Sequence, residues 1–200
     1  MEILWNYMAE RWNIPINMKS FILEDLAEED LLRIDVAFEL FRDAEEQLIK
    51  SQDNLEEHEK DPAWAHIEGN KITLKKTINS HIFVIYLFHT VEKVLKSRLT
   101  ALDENLTFEQ ISFAEIIYRI STYRKGFDVT KFENYKKIKL LQEVANCAKH
   151  GLEVDKSLAK KHSTFIFRRE LPYLGEFIHE YNLVPSCWSF ICEVYECVER

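Results

Sequence analysis

Three polar side chains recur at intervals of four residues in the segment LLQEVANCAKHG, residues 140–151, and their types suit acid–base chemistry. They are Gln142, Asn146 and His150. Because four residues make about one helical turn, the three side chains share one face of a helix. A histidine titrates near neutral pH, so His150 beside an amide and a cation could act as a general acid or base on an RNA 2′-hydroxyl or a phosphate. The pattern predicts a candidate catalytic group of His150, Asn146 and Lys149.

Lysines flank this face and are candidate contacts for an anionic partner. The predicted nucleic-acid-binding residues are Lys136, Lys139 and Lys149. The formal net charge of the chain is −8, yet twelve bases oppose five acids between residues 123 and 169, whereas fifteen acids oppose four bases between residues 21 and 61. An anionic partner such as RNA is therefore expected on the second half of the chain. The acidic segment is expected to be a solvated face, with a docking site for a basic partner as the alternative.

The chain contains little glycine and proline, which indicates that long helices carry these residues. Each occurs only four times, which disfavours many short strands, so the predicted fold is all-α in one domain over residues 1–200. Apolar spacing predicts an acidic amphipathic helix over about 26–59, ended by Asp61, Pro62 and Gly69. It also predicts a central core helix over about 73–102, with a stripe through Ile78, Ile82, Ile85, Phe88, Val91 and Leu95.

Shorter elements are expected on both sides of these helices. The spacing of aromatic residues within residues 1–15 predicts a short helix or arm, and its aromatic side chains are expected to pack on the body of the protein or on another subunit. Thr107 or Ser112 can cap a helix over 113–120, and Gly126 closes the following hairpin. A helix over about 130–150 should end at a left-handed Gly151. The segment before Pro172 is ambiguous and could form a short strand, and C-terminal helices are expected within about 170–199.

In its order of helices and its closing His-Gly, the chain resembles the HEPN superfamily of helical nucleotide-binding domains. HTVEKVLKSRL (89–99) is similar to an early helix of that family, ISFAEIIYRI (111–120) to the next short helix, and LLQEVANCAKHG to the motif helix. The resemblance covers a core of about residues 73–155. It implies an antiparallel helical bundle with extra N- and C-terminal helices, side-by-side homodimerisation and, in many members, metal-independent ribonuclease activity in bacterial toxin–antitoxin or antiviral defence systems.

The sequence departs from the family pattern at the arginine that stands four to six intervening residues before the histidine. Asn146 and His150 match, but the corresponding positions hold Glu143, Val144 and Ala145. A lysine nearby would be a point charge without the bidentate fork of an arginine. We therefore predict a catalytically degenerate module that dimerises or binds a protein partner. The alternatives are a metal-independent endoribonuclease or RNA/nucleotide-binding protein using His150 and Asn146, and an unrelated helical adaptor.

Metal, cofactor and membrane binding are not expected. His81 and His89 are eight residues apart without an Asp or Cys to complete a ligand set, so they are expected in the core or an interface. The chain has no Gly-rich phosphate loop of the kind that would indicate a nucleotide cofactor. The four cysteines, Cys147, Cys187, Cys192 and Cys197, are expected to be reduced thiols. With no leader and no apolar run of about 20 residues, the predicted location is the cytoplasm.

Overall fold

Long stretches without glycine or proline form helices in the computed structural model, which describes residues 10–11, 28–58, 61–102, 111–123 and 128–199. The elements in chain order are α1 (Glu28–His58), α2 (Pro62–Leu102), α3 (Phe113–Tyr123), a 3₁₀ helix (Val129–Lys131), α4 (Tyr135–His150), α5 (Lys156–Lys161), α6 (Gly175–Glu180) and α7 (Leu183–Glu199). Within the described ranges the only β pairing is an isolated antiparallel bridge between Glu153 and Glu170. The all-α prediction is confirmed.

Helices α1 and α2 form a long antiparallel hairpin, and its turn differs from the prediction. Asp61 accepts hydrogen bonds from the N–H groups of Ala63 (2.9 Å) and Trp64 (3.4 Å), so it caps a helix that begins at Pro62. Proline suits this first position because the N–H that it lacks would have no intrahelical partner. The expected break at Gly69 is wrong, since Gly69 lies inside α2 beside Leu55 of α1.

Helix α2 is the centre of the core, although only one of its two apolar faces is buried. Leu87, Val91 and Leu95 are fully buried in a cluster with residues of the other helices. Phe41 of α1 stacks on Phe83 of α2 with ring centroids 4.8 Å apart. The predicted core stripe is confirmed for Phe88, Val91 and Leu95 and is wrong for Ile78 and Ile82, which are 47% and 61% exposed. HIFVIYLF is apolar on nearly all sides, so spacing alone could not select its inward face.

The start of α4 is set by a 3₁₀ turn instead of the expected helix start at Thr130. Asp128 accepts hydrogen bonds from the N–H (3.0 Å) and the hydroxyl (2.6 Å) of Thr130 and so caps the 3₁₀ helix. These hydrogen bonds hold the pKa of Asp128 below its ordinary value, and the bond from the Thr130 hydroxyl has the largest effect. Helix α4 then begins at Tyr135.

The end of α4 is at Gly151, as predicted, but the left-handed residue is the next one. Gly151 has φ 155° and Leu152 has φ 60°, and the N–H groups of both donate to the carbonyl of Cys147. Leu152 therefore takes the conformation that was expected of Gly151.

The chain after α4 folds back as a loop, and the short strand that the sequence allowed before Pro172 is not formed. Val154 N–H donates to the Arg169 carbonyl (2.9 Å), and Arg168 N–H donates to the Val154 carbonyl (3.1 Å). A β-turn in which Arg169 N–H donates to the Ile166 carbonyl (3.0 Å) limits this pairing to a bridge. His81 of α2 then holds the chain, because its Nε2 donates to the Pro172 carbonyl at 2.9 Å. The core prediction for His81 is confirmed, since the side chain is buried.

Some expectations are confirmed in part or fall outside the described residues. Ser112 caps α3 through the N–H of Glu115 (3.2 Å), while Thr107, Gly126 and all of the N-terminal arm except residues 10–11 lie outside the described residues. Cys147, Cys187 and Cys192 are buried free thiols, and the Cys197 side chain also lies outside. In the described parts of the chain, every helix is too short or too polar to cross a membrane.

Candidate functional site

The polar face of α4 carries all the residues that the sequence singled out. The opposite face is buried through Ile138, Leu141, Val144, Ala145 and Ala148, and this burial fixes the rotation of the helix. Successive residues in a helix turn by about 100°. The polar positions therefore fall on one arc of about 140°, which runs from Lys149 at one edge to Lys136 at the other and includes Lys139, Gln142, Glu143, Asn146 and His150.

Asn146 and His150 meet at one depression at the end of α4. Both side chains are exposed, and they line a space of about 490 Å³ together with Cys147, Gly151, Glu153 and Asp155. The structure thus brings the predicted Asn–His pair together. Lys149 is exposed on the same arc but does not line the depression.

The depression is acidic, because the turn at Gly151 brings two carboxylates beside His150. Of the described residues that line it, Glu153 and Asp155 are carboxylates and none is lysine or arginine. Asp155 accepts a hydrogen bond from the N–H of Leu158 (2.7 Å) and thereby caps α5. A carboxylate at this position stabilises the helix and repels an incoming phosphate.

Cys147, which lies beneath the depression, is not an activated nucleophile. Burial raises the pKa of its thiol, and the charges of Asp155 and Glu143 raise it as well. Since the thiolate is the reactive form, the thiol is held in its unreactive state.

Two of the lysines near this face are already engaged by polar side chains. Lys139 Nζ donates to Gln142 Oε1 at 2.6 Å, and Lys161 at the end of α5 forms an ion pair with Glu143. The Glu143 side chain is only 13% exposed. One of the positions where the family pattern places arginine therefore holds a mostly buried carboxylate that binds a lysine from the next helix.

Glu92 and Lys96 lie one turn apart on α2, in the segment that resembles the early helix of the family, and they form an ordinary pair on the helix surface. Lys96 Nζ lies 3.2 Å from Glu92 Oε1, and His89 Nδ1 lies 3.4 Å from Glu92 Oε2. Pairs one turn apart contribute a few tenths of a kcal/mol to helix stability. Within the described residues, no cluster of three or more His, Cys, Asp or Glu residues could hold a metal ion.

A second feature, which the sequence did not predict, is an apolar groove between α1 and α2. Its volume is about 430 Å³. Val36 (49% exposed) and Leu40 (65%) of α1 form one wall, and Ile82 (61%) and Tyr86 (39%) of α2 form the other. The sequence contained one signal, namely that α2 is apolar on more sides than a single core can cover.

Comparison with protein-family models, curated proteins and solved structures finds no match for this chain. The HEPN resemblance accordingly stays a prediction.

Proposed function

We propose that this chain is a HEPN-like helical module that binds protein and does not cleave RNA, acting in the cytoplasm in a bacterial toxin–antitoxin or antiviral defence system. The observation that carries the proposal is the acidic depression. His150 and Asn146 face Glu153 and Asp155 where a phosphate-binding site would present arginine or lysine.

Cleavage of RNA needs positive charge where the phosphate gains negative charge in the transition state. Residue 143 lies on the same arc as His150, but it is a glutamate that forms an ion pair with Lys161. Lys139 lies on the same arc and is hydrogen-bonded to Gln142. The face therefore has a proton donor and acceptor in His150, but no lysine or arginine is among the described residues that line the depression beside it.

The succession of helices supports the HEPN-like arrangement. A long helix α2, a short helix α3 and a motif helix α4 follow one another, and α2 packs against both of the others. Helix α1 would be the added N-terminal helix, and α6 and α7 the added C-terminal helices. Free thiols at Cys147, Cys187 and Cys192 support the cytoplasmic location, because reduced cysteines are typical of that compartment.

The second candidate function is metal-independent RNA cleavage or RNA binding through α4. The observation that favours it is the exposed His150 on a face that it shares with Lys136, Lys139 and Lys149. Such binding would weaken with rising salt, because phosphate contacts release counterions.

Incubation of labelled RNA with the purified protein in EDTA tests the proposal. We expect no cleavage by the wild type, His150→Ala or Asn146→Ala, because the depression that His150 lines presents carboxylates and no cation to the phosphate. EDTA excludes metal-dependent contaminants. His66→Ala, at an exposed position on α2, is the matched control. Cleavage by the wild type and the control that disappears in both α4 variants would contradict the proposal and establish the ribonuclease.

A further inference from the structure

The hairpin of α1 and α2 carries most of the exposed large hydrophobic side chains in the described parts of the chain. Nine of the fourteen lie on these two helices. Monomeric soluble proteins rarely expose a contiguous apolar area larger than a few hundred Å². The concentration of these side chains on one hairpin indicates a surface that another molecule covers.

The exposed side chains of α2 follow the spacing of a helix-packing seam. They are Trp64, Ile67, Leu74, Ile78, Ile82 and Tyr86. Steps of three and four residues are the pattern by which one helix packs along another. Lys71 fills the position between Ile67 and Leu74, where its aliphatic stem can lie along the seam while its charge reaches water. At 1.5 Å per residue the seam is about 33 Å long.

Helix α1 widens this seam into a two-helix surface. Val36 and Leu40 project beside Ile82 and Tyr86 across the groove. Two helices, each about 10 Å wide, give a footprint on the order of 30 by 20 Å. That size is close to the area of about 800 Å² per partner that stable protein interfaces bury.

Charge indicates what occupies this surface. Helix α1 contains eleven acidic and three basic residues, whereas the part of α2 that carries the seam, residues 64–86, contains one acidic and three basic residues. When a second hairpin of the same kind packs face to face about a two-fold axis parallel to the helices, each acidic α1 lies beside a basic α2 of the other copy. The two α1 helices then lie on a diagonal, where their repulsion is weakest. The surface is therefore complementary to itself.

We propose that the apolar face of the α1–α2 hairpin binds a second copy of this chain in a two-fold dimer with a four-helix interface. The inference rests on the proposed function, since it names the protein that the module binds. Val91 is nine residues from Ile82, so the buried side of α2 that packs towards α4 is opposite the seam. The dimer accordingly leaves both α4 depressions uncovered.

Light scattering during size-exclusion chromatography of the full chain tests this interface. The wild type should have twice the mass of the 23.8 kDa chain. Ile82→Glu, at a position 61% exposed, should raise the dimer dissociation constant at least thirtyfold, roughly the effect of losing one hot-spot residue. Ile166→Glu is the matched control, because it makes the same change at a 64% exposed position outside the hairpin and should leave the dimer intact.

Two further observations keep the test decisive. Leu40→Glu on α1 (65% exposed) should dissociate the dimer as Ile82→Glu does, and circular dichroism should show that both variants keep the helical content of the wild type. A wild type that is monomeric at its highest soluble concentration, or a dimer that survives both changes, would overturn the interface. Absence of RNA cleavage would still support the proposed function in that case, whereas RNA cleavage by an intact dimer would overturn the proposed function alone.

Discussion

The hairpin surface and the polar face of α4 differ in how far their side chains are satisfied within the chain. On the hairpin, Leu40 and Ile82 remain more than half exposed, so the groove between them is open to a partner. On α4, Lys139 and Glu143 already have partners in Gln142 and Lys161. Two charged groups of the α4 face are thus engaged within the chain, whereas the apolar walls of the groove remain exposed. The comparison supports the proposal that the hairpin, and not the motif helix α4, is the binding surface.

The largest expected effect concerns stability linked to association. If the hairpin dimerises, the thermal midpoint of the wild type should rise with protein concentration, because a tenfold increase stabilises the dimer by about 1.4 kcal/mol. Calorimetry at several concentrations measures this shift, which should be a few degrees per tenfold change for a chain of this size. Ile82→Glu should show a constant midpoint, and Ile166→Glu should behave as the wild type does. A wild-type midpoint that does not change with concentration would mean that the hairpin does not dimerise, and the proposed difference between the two regions would be wrong.

A charge reversal on α4 tests whether the second region lacks only a cation at the position of the family arginine. Glu143→Arg breaks the ion pair with Lys161 and places an arginine at a position that the family pattern allows, on the same arc as His150. Replacing a negative by a positive charge near a phosphate should increase RNA affinity roughly tenfold at low salt. Fluorescence anisotropy with labelled RNA measures this gain, and Glu133→Arg, exposed before the start of α4, is the control. An equal gain in both variants would mean that net charge alone is responsible.

The carboxylates that line the depression should matter more for folding than for ligands. Asp155→Ala removes the cap of α5, and loss of such a cap lowers the free energy of unfolding by about 1 kcal/mol. Urea unfolding measures this loss, with the exposed Asp53→Ala of α1 as the comparison. A variant as stable as the wild type would show that the cap formed by Asp155 does not contribute to the stability of the fold.

The smallest effect concerns the turn that leads into α4. The pKa of Asp128 is lowered from its ordinary value of 3.8, first by the Thr130 hydroxyl. Its carboxylate therefore stabilises the fold above about pH 3.8, and this contribution is lost as the pH falls through the lowered pKa. Asp128→Asn should be less stable than the wild type at pH 7, and the difference should shrink on acidification below pH 3.8. A difference that does not change with pH would assign the effect to geometry instead of charge.

The sequence predicted those parts of the fold that depend on neighbours along the chain. The scarcity of glycine and proline indicated long helices, Gly151 marked the end of α4, and four-residue spacing placed Asn146 and His150 together. Features that depend on distant residues were not predictable in this way. Lys161 reaches Glu143 from eighteen residues away on another helix. The outward side of α2 could not be chosen because Ile82 and Leu87 are both apolar, and only packing buries one of them.

Hydroxyl-radical labelling of side chains tests the central claim most directly, because it reads both regions in one sample. Wild type and Ile82→Glu would be labelled at equal concentration and compared by mass spectrometry. We expect Leu40 and Tyr86 to be protected in the wild type and labelled in the variant, with His150 and Ile166 labelled equally in both. Equal labelling of Leu40 and Tyr86 in the two proteins, or protection of His150 in the wild type, would contradict the assignment of the binding surface to the hairpin.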